Sequence, residues 1–87
     1  MPPRRTSTPR SPEHAALGDA IRDRRGELGL SQEALADAAD LHVTQLGGFE
    51  RGVRNPSYAT LVQLARALDT TPGALLTAAD ELLSRRP

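Results

Sequence analysis

The chain contains no cysteine, no lysine and no tryptophan, and it has a single Phe and a single Tyr. Without cysteine there are no disulfides, no thiolate metal sites and no thiol nucleophile. Without lysine the usual phosphate-binding loop cannot be built. The two histidines, His14 and His42, stand far apart and form no HExxH pattern, so no metal site is expected. No G-x-S-x-G elbow is present either. The chain is therefore not expected to be an enzyme, and no cofactor is expected. No apolar run approaches the roughly 20 residues of a membrane span. The charged N-terminus has no apolar stretch behind it and does not read as a secretory signal. The expected location is the cytoplasm, with no membrane partner.

What the 87 residues do contain is Ala, Leu and Arg. With so few aromatics, the core must come from Leu, Ala and a few β-branched residues. Ala and Leu are strong helix formers, which favours an all-α fold. The formal net charge is zero, but it is unevenly spread. Residues 1–12 carry Arg4, Arg5 and Arg10 and no acid, residues 31–40 carry three acids and no base, and residues 42–68 carry Arg51, Arg54 and Arg66 against Glu50. A neutral molecule with this distribution can still present one basic face.

Residues 1–11 are rich in Pro, Arg, Ser and Thr without apolar periodicity, and are expected to be a disordered basic arm. Residues 12–84 read as one domain of five short helices. The expected spans are about 12–28, 32–39, 43–50, 58–68 and 72–84. Ser11-Pro12-Glu13, Ser31, Ser57 and Thr71-Pro72 are start signals, and Gly29 and Gly52 are stop signals. The inward stripes are Leu17, Ile21 and Leu28, then Leu35, Ala36 and Ala39, then Leu46 and Phe49, then Leu61, Leu64, Ala65 and Leu68. Only three or four residues separate the second and third helices, a length that makes two helices cross steeply.

The order Gly29-Leu30-Ser31-Gln32, Leu35-Ala36, Phe49-Glu50-Arg51-Gly52, Arg54-Asn55-Pro56-Ser57 and Leu64-Ala65-Arg66-Ala67-Leu68 resembles the lambda-repressor-like, XRE-type helix-turn-helix DNA-binding family over about residues 15–77. The resemblance implies a sequence-specific transcriptional regulator, most often a repressor, that binds double-stranded DNA. A homodimer would read an inverted-repeat operator through residues 43–50. Family members of this kind include controller proteins of restriction-modification systems and antitoxins of toxin–antitoxin pairs, the latter with a partner protein. The rival reading is a protein-interaction module that keeps the fold without reading DNA.

Carried onto this sequence, the resemblance places Gln32 against a phosphate and against the third helix. It turns Val43, Thr44 and Gln45 towards the bases, with Gly48 one turn further along. Arg51, Arg54 and Asn55 would grip the phosphate backbone, and Arg25 and Glu50 would form a structural salt bridge. The sequence departs from the family pattern at Asp40, where glycine is common, at His42, where Ser or Thr usually caps, and at Gly47-Gly48 inside the recognition helix. Tolerance of the two glycines is the preferred reading there, ahead of close backbone approach to DNA. The apolar residues Leu75, Leu76, Ala79, Leu82 and Leu83 exceed what one small core needs, so the helix over 72–84 is the expected dimer surface.

Overall fold

A computed structural model describes residues 8–85 of the chain. Among the described residues the regular structure is five helices: α1 (Pro12–Glu27), α2 (Gln32–Ala38), α3 (Val43–Glu50), α4 (Tyr58–Ala67) and α5 (Pro72–Ser84). Helices α1, α2 and α4 end one residue before the expected bounds, because Leu28, Ala39 and Leu68 are their C-caps.

Four of the five helices, all but α3, start where a short polar side chain can take up an unpaired amide. The hydroxyls of Ser11, Ser31, Ser57 and Thr71 accept from the amides of His14, Ala34, Thr60 and Ala74 at 3.0–3.1 Å. The first four helices end alike. The amides of Leu30, Leu41, Val53 and Thr70 reach back to the carbonyls of Arg25, Ala36, Gly48 and Ala65 at 2.8–3.0 Å. This closure needs a left-handed residue just before the reaching amide. Glycine fills that place twice, at Gly29 and Gly52, and aspartate fills it twice, at Asp40 (φ 58) and Asp69 (φ 54).

A left-handed L-residue costs roughly 1–2 kcal/mol, part of which glycine gives back through its freer unfolded state. Asp40→Gly is therefore expected to stabilise the domain by about 0.5–1 kcal/mol, raising the thermal midpoint by a few degrees. A thermal melt followed by circular dichroism checks this. A lower midpoint would mean that the Asp40 carboxylate contributes more than its backbone costs.

The core forms where the inner stripes meet. Ile21, Leu35, Leu46, Leu64 and Leu68 are fully buried, joined by Ala36, Ala39, Phe49, Ala65 and Leu75. Leu30 and Leu41, in the two turns that flank α2, pack half-buried against this group. Leu28 departs from its expected inward place: it is the C-cap of α1 and is 40% exposed.

A second, smaller group unites α1 and α5. Ala16, Ala20 and Ala79 are buried there, with Leu17, Ala78, Leu82 and Leu83 packed against them. This corrects the expectation that the apolar face of α5 is surplus. Leu75 and Ala79 are consumed by the chain's own core, Leu82 and Leu83 are half-buried, and Leu76 is left 46% exposed.

At the end of the span expected to be an arm, two residues are held by the domain. The Arg10 amide donates to the Gly52 carbonyl at 2.8 Å, and Ser11 is the α1 cap. Arg4 and Arg5 lie outside the described residues. Among the described residues, no helix is long and apolar enough to cross a membrane.

Candidate nucleic-acid interface

The geometry of α3 follows from which of its residues must be inside. Leu46 and Phe49 face the core, and Glu50 is only 2% exposed. A buried carboxylate is tolerable only when its oxygens are fully engaged. Both oxygens of Glu50 are. Arg25 donates Nε to Oε2 at 2.7 Å and Nη2 to Oε1 at 3.0 Å, a two-pronged pairing. Gln32, at the start of α2, adds Nε2 to Oε1 at 2.9 Å. Arg22 stands further off, its Nε 3.9 Å from Oε1. One carboxylate on α3 thus holds α1 and α2 at once. The hydrogen bond to Glu50 raises the pKa of Arg25 above its ordinary value, against the opposing effect of burial, so the cation persists throughout the working range of pH.

The α1–α3 contact is made backbone to backbone. A Cβ placed on Gly18 would collide with the Glu50 carbonyl oxygen and come within 2.6 Å of the Phe49 carbonyl oxygen. One turn along α1, Arg22 Nη2 donates to the same Glu50 carbonyl at 2.9 Å. One turn before, Gly52 meets Ala15, where a Cβ would lie 2.9 Å from the Ala15 backbone. The C-terminal end of α3 therefore rests directly on the α1 backbone.

The rest of α3 faces outward. Val43 and Thr44 are exposed, and Gln45 is half-buried. The Gln45 amide oxygen accepts from the His42 backbone amide at 3.1 Å. Gln45 thus makes the reciprocal bond of a capping box, from the third helical residue back to the His42 amide, and it keeps its amide nitrogen as a donor. Gln32 is half-buried, its amide nitrogen turned inward to Glu50.

Arg51, Arg54 and Asn55 are exposed at the end of α3 and in the loop that follows. Gly47 and Gly48 are both buried despite having no side chains. Arginine covers each of them. Arg51 Nη1 lies 3.0 Å from where a Gly47 Cβ would be, and Arg54 Cδ and Cγ lie 2.6 and 2.7 Å from where a Gly48 Cβ would be.

Several contributors to the site carry no signal in their own sequence position. Gly18 and Arg22 set the seat of α3. Arg24 donates to the carbonyls of Leu68 and Asp69 at 2.9 and 3.2 Å, closing the end of α4. His14 bridges the Ser11 hydroxyl (2.7 Å) and Asn55 Oδ1 (3.0 Å), which ties the loop after α3 to the start of α1.

Two short helices, α2 and α3, joined by a left-handed aspartate and held by a buried carboxylate, leave α3 with one free face. The helix-turn-helix family matches residues 21–75 of this chain, a span that contains both helices. The chain belongs to the helix-turn-helix family. The resemblance to lambda-repressor-like, XRE-type proteins drawn from its motifs therefore holds. Among relatives, the chain is 44% identical over 61 residues to control protein C.SmaI of Serratia marcescens, covering 70% of this chain and 73% of that one. It is 38% identical over 61 residues to control protein C.BamHI of Bacillus amyloliquefaciens, covering 69% and 75% respectively. Among solved structures, the restriction-modification controller protein C.AhdI from Aeromonas hydrophila superposes with a TM-score of 0.74 at 40% identity, covering 75% of this chain and 98% of that one.

Proposed function

We propose that this helix-turn-helix chain is a sequence-specific DNA-binding transcriptional regulator that acts as a cytoplasmic homodimer, in the role of a restriction-modification controller protein. The observation that carries the reading is the exposed face of α3. It presents Val43, Thr44 and the Gln45 amide nitrogen, with Arg51, Arg54 and Asn55 at one end, and it is braced from behind by the fully engaged Glu50. A helix about 10–12 Å across fits a major groove about 12 Å wide. Thr44 and Gln45 are the base readers, and Val43 offers a methyl contact to thymine. Arg51 and Asn55 grip the backbone. Gln32 contributes through the start of α2, where helix amides favour a phosphate. Similarity to C.SmaI, C.BamHI and C.AhdI supports the controller role over the antitoxin role. The dimer surface proposed is α5 (Pro72–Ser84), where the exposed Leu76 and the half-buried Leu83 support the reading.

Selection of bound duplexes from a random DNA pool tests the proposal. The expected product is an inverted repeat whose half-sites lie about one helical turn, roughly 34 Å, apart. Affinity for it is expected to fall steeply with salt, as phosphate contacts release counterions. Absence of any enriched sequence, with weak and salt-insensitive binding, would sink the proposal.

A further inference from the structure

Helical spacing places Thr44 and Gly48 on one stripe, four residues apart and opposite the inward Leu46, Phe49 and Glu50. Position 48 is thus on the free face, where a recognition helix would carry its second reader. Gly48 has no side chain, and yet it is buried. The Arg54 stem lies in the place of its missing Cβ, with Cδ at 2.6 Å, Cγ at 2.7 Å and Nε at 3.2 Å.

The two arginines are used differently. Arg51 reaches its glycine with the guanidinium tip, Nη1 at 3.0 Å from the Gly47 position, so its charge ends against the helix. Arg54 crosses its glycine with the stem: Cδ and Cγ, not the guanidinium tip, are the atoms nearest to it. Arg54 is exposed although its stem is packed. It also lines a groove with Gln45, Asn55 and Thr60, beside the amide nitrogen that Gln45 keeps free.

From this geometry we propose that Arg54 reads a base pair, in the place of the side chain that Gly48 lacks, and that Gly48 is the positioning residue that admits it. The proposal rests on α3 being the recognition helix and moves Arg54 from backbone clamp to sequence reader. Its ligand is a pair of acceptors on one base edge. The guanidinium fork matches guanine O6 and N7 in the major groove. Resting the stem on the helix fixes the fork in advance, which lowers the ordering cost of binding. The glycines are therefore neither merely tolerated nor a bare surface for DNA.

The test compares wild type, Arg54→Ala, Arg54→Lys and Gly48→Ala on the selected half-site and on every single-base change of it. A base reader gives wild type a preference of about tenfold or more for guanine at one position. Arg54→Ala and Gly48→Ala are expected to abolish that preference at the same position and leave the others intact. Arg54→Lys is expected to keep part of the affinity and lose most of the preference. Thermal melts guard against misfolding, and Gly48→Ala is expected to melt no lower than wild type, since alanine is the better helix former.

Two results would overturn the proposal. Arg54→Ala could weaken all sequences alike and lower the salt slope by about one, which is the signature of a phosphate contact. Alternatively, Gly48→Ala could leave every preference unchanged. A wild type that enriches no sequence would overturn the regulator reading as well. A wild type with a clear operator whose preferences all survive in Arg54→Ala would overturn only this inference.

Discussion

Glu50→Ala is expected to destabilise the domain by about 3–5 kcal/mol, the cost of breaking a buried pair from one side. The carboxylate is 2% exposed and holds Arg25 by two hydrogen bonds and Gln32 by one. Its loss strands an Arg25 side chain only 18% exposed and a half-buried amide. Arg25 also donates Nη1 to the Leu30 carbonyl at 3.0 Å, and part of its guanidinium can reach water, so the lower end of that range applies. A chain of 87 residues has a total stability of roughly 4–13 kcal/mol. A loss of about 3 kcal/mol therefore lowers the thermal midpoint by roughly 12–24 °C.

Urea unfolding of Glu50→Ala, Arg25→Leu and the Arg25→Leu/Glu50→Leu pair separates charge from shape. If the buried charge is the cause, the double variant is expected to be more stable than Glu50→Ala, because it leaves no buried ion unpaired. Equal loss in all three would assign the effect to packing. Glu50→Ala also removes the Gln32–Glu50 link between α2 and α3, so DNA affinity is expected to fall at temperatures where the variant is still folded.

Most of the local structure was legible because its causes are local. Ser11, Ser31, Ser57 and Thr71 are adjacent to the amides they cap, and Gly29 and Gly52 are adjacent to the ends they close. Other features depend on what lies opposite. Leu28 has the spacing of a core residue, but it is the C-cap of α1 and stays 40% exposed. Leu75 and Ala79 read as surplus because the sequence does not reveal that α5 lies along α1. The pair Gly47-Gly48 looked like a gap in the recognition helix, and only the folded chain shows that arginines from beyond the helix fill it. At position 42 the departure from Ser or Thr was visible, but not that Gln45 reaches back from within the helix to the His42 amide.

Gly18 is the clearest case of a residue whose role is wholly tertiary, and alanine there is expected to be as damaging as the loss of Glu50. A glycine within a helix normally weakens it by roughly 1 kcal/mol relative to alanine, so propensity alone predicts a gain from Gly18→Ala. The neighbours reverse the sign. The new Cβ would fall on the Glu50 carbonyl oxygen and within 2.7 Å of the Glu50 carbonyl carbon. These are backbone atoms, fixed by α3 and by the Arg22 hydrogen bond to the same carbonyl, so no rotamer change relieves the contact. The helices must separate, which carries the Arg25–Glu50 pairing with it. Overpacking typically costs about 1–3 kcal/mol and occasionally more, and with the pairing disturbed the net loss is expected at about 2–4 kcal/mol. Gly26, on the same helix, is the internal control. It is exposed, and a Cβ there meets nothing within 4 Å. Gly26→Ala is expected to stabilise by about 0.5–1 kcal/mol. Chemical denaturation of the two variants side by side should thus give opposite signs from one substitution type. Stabilisation by both would show that α1 and α3 can yield at Gly18, and the close backbone seat would then not be what fixes the angle of the recognition helix.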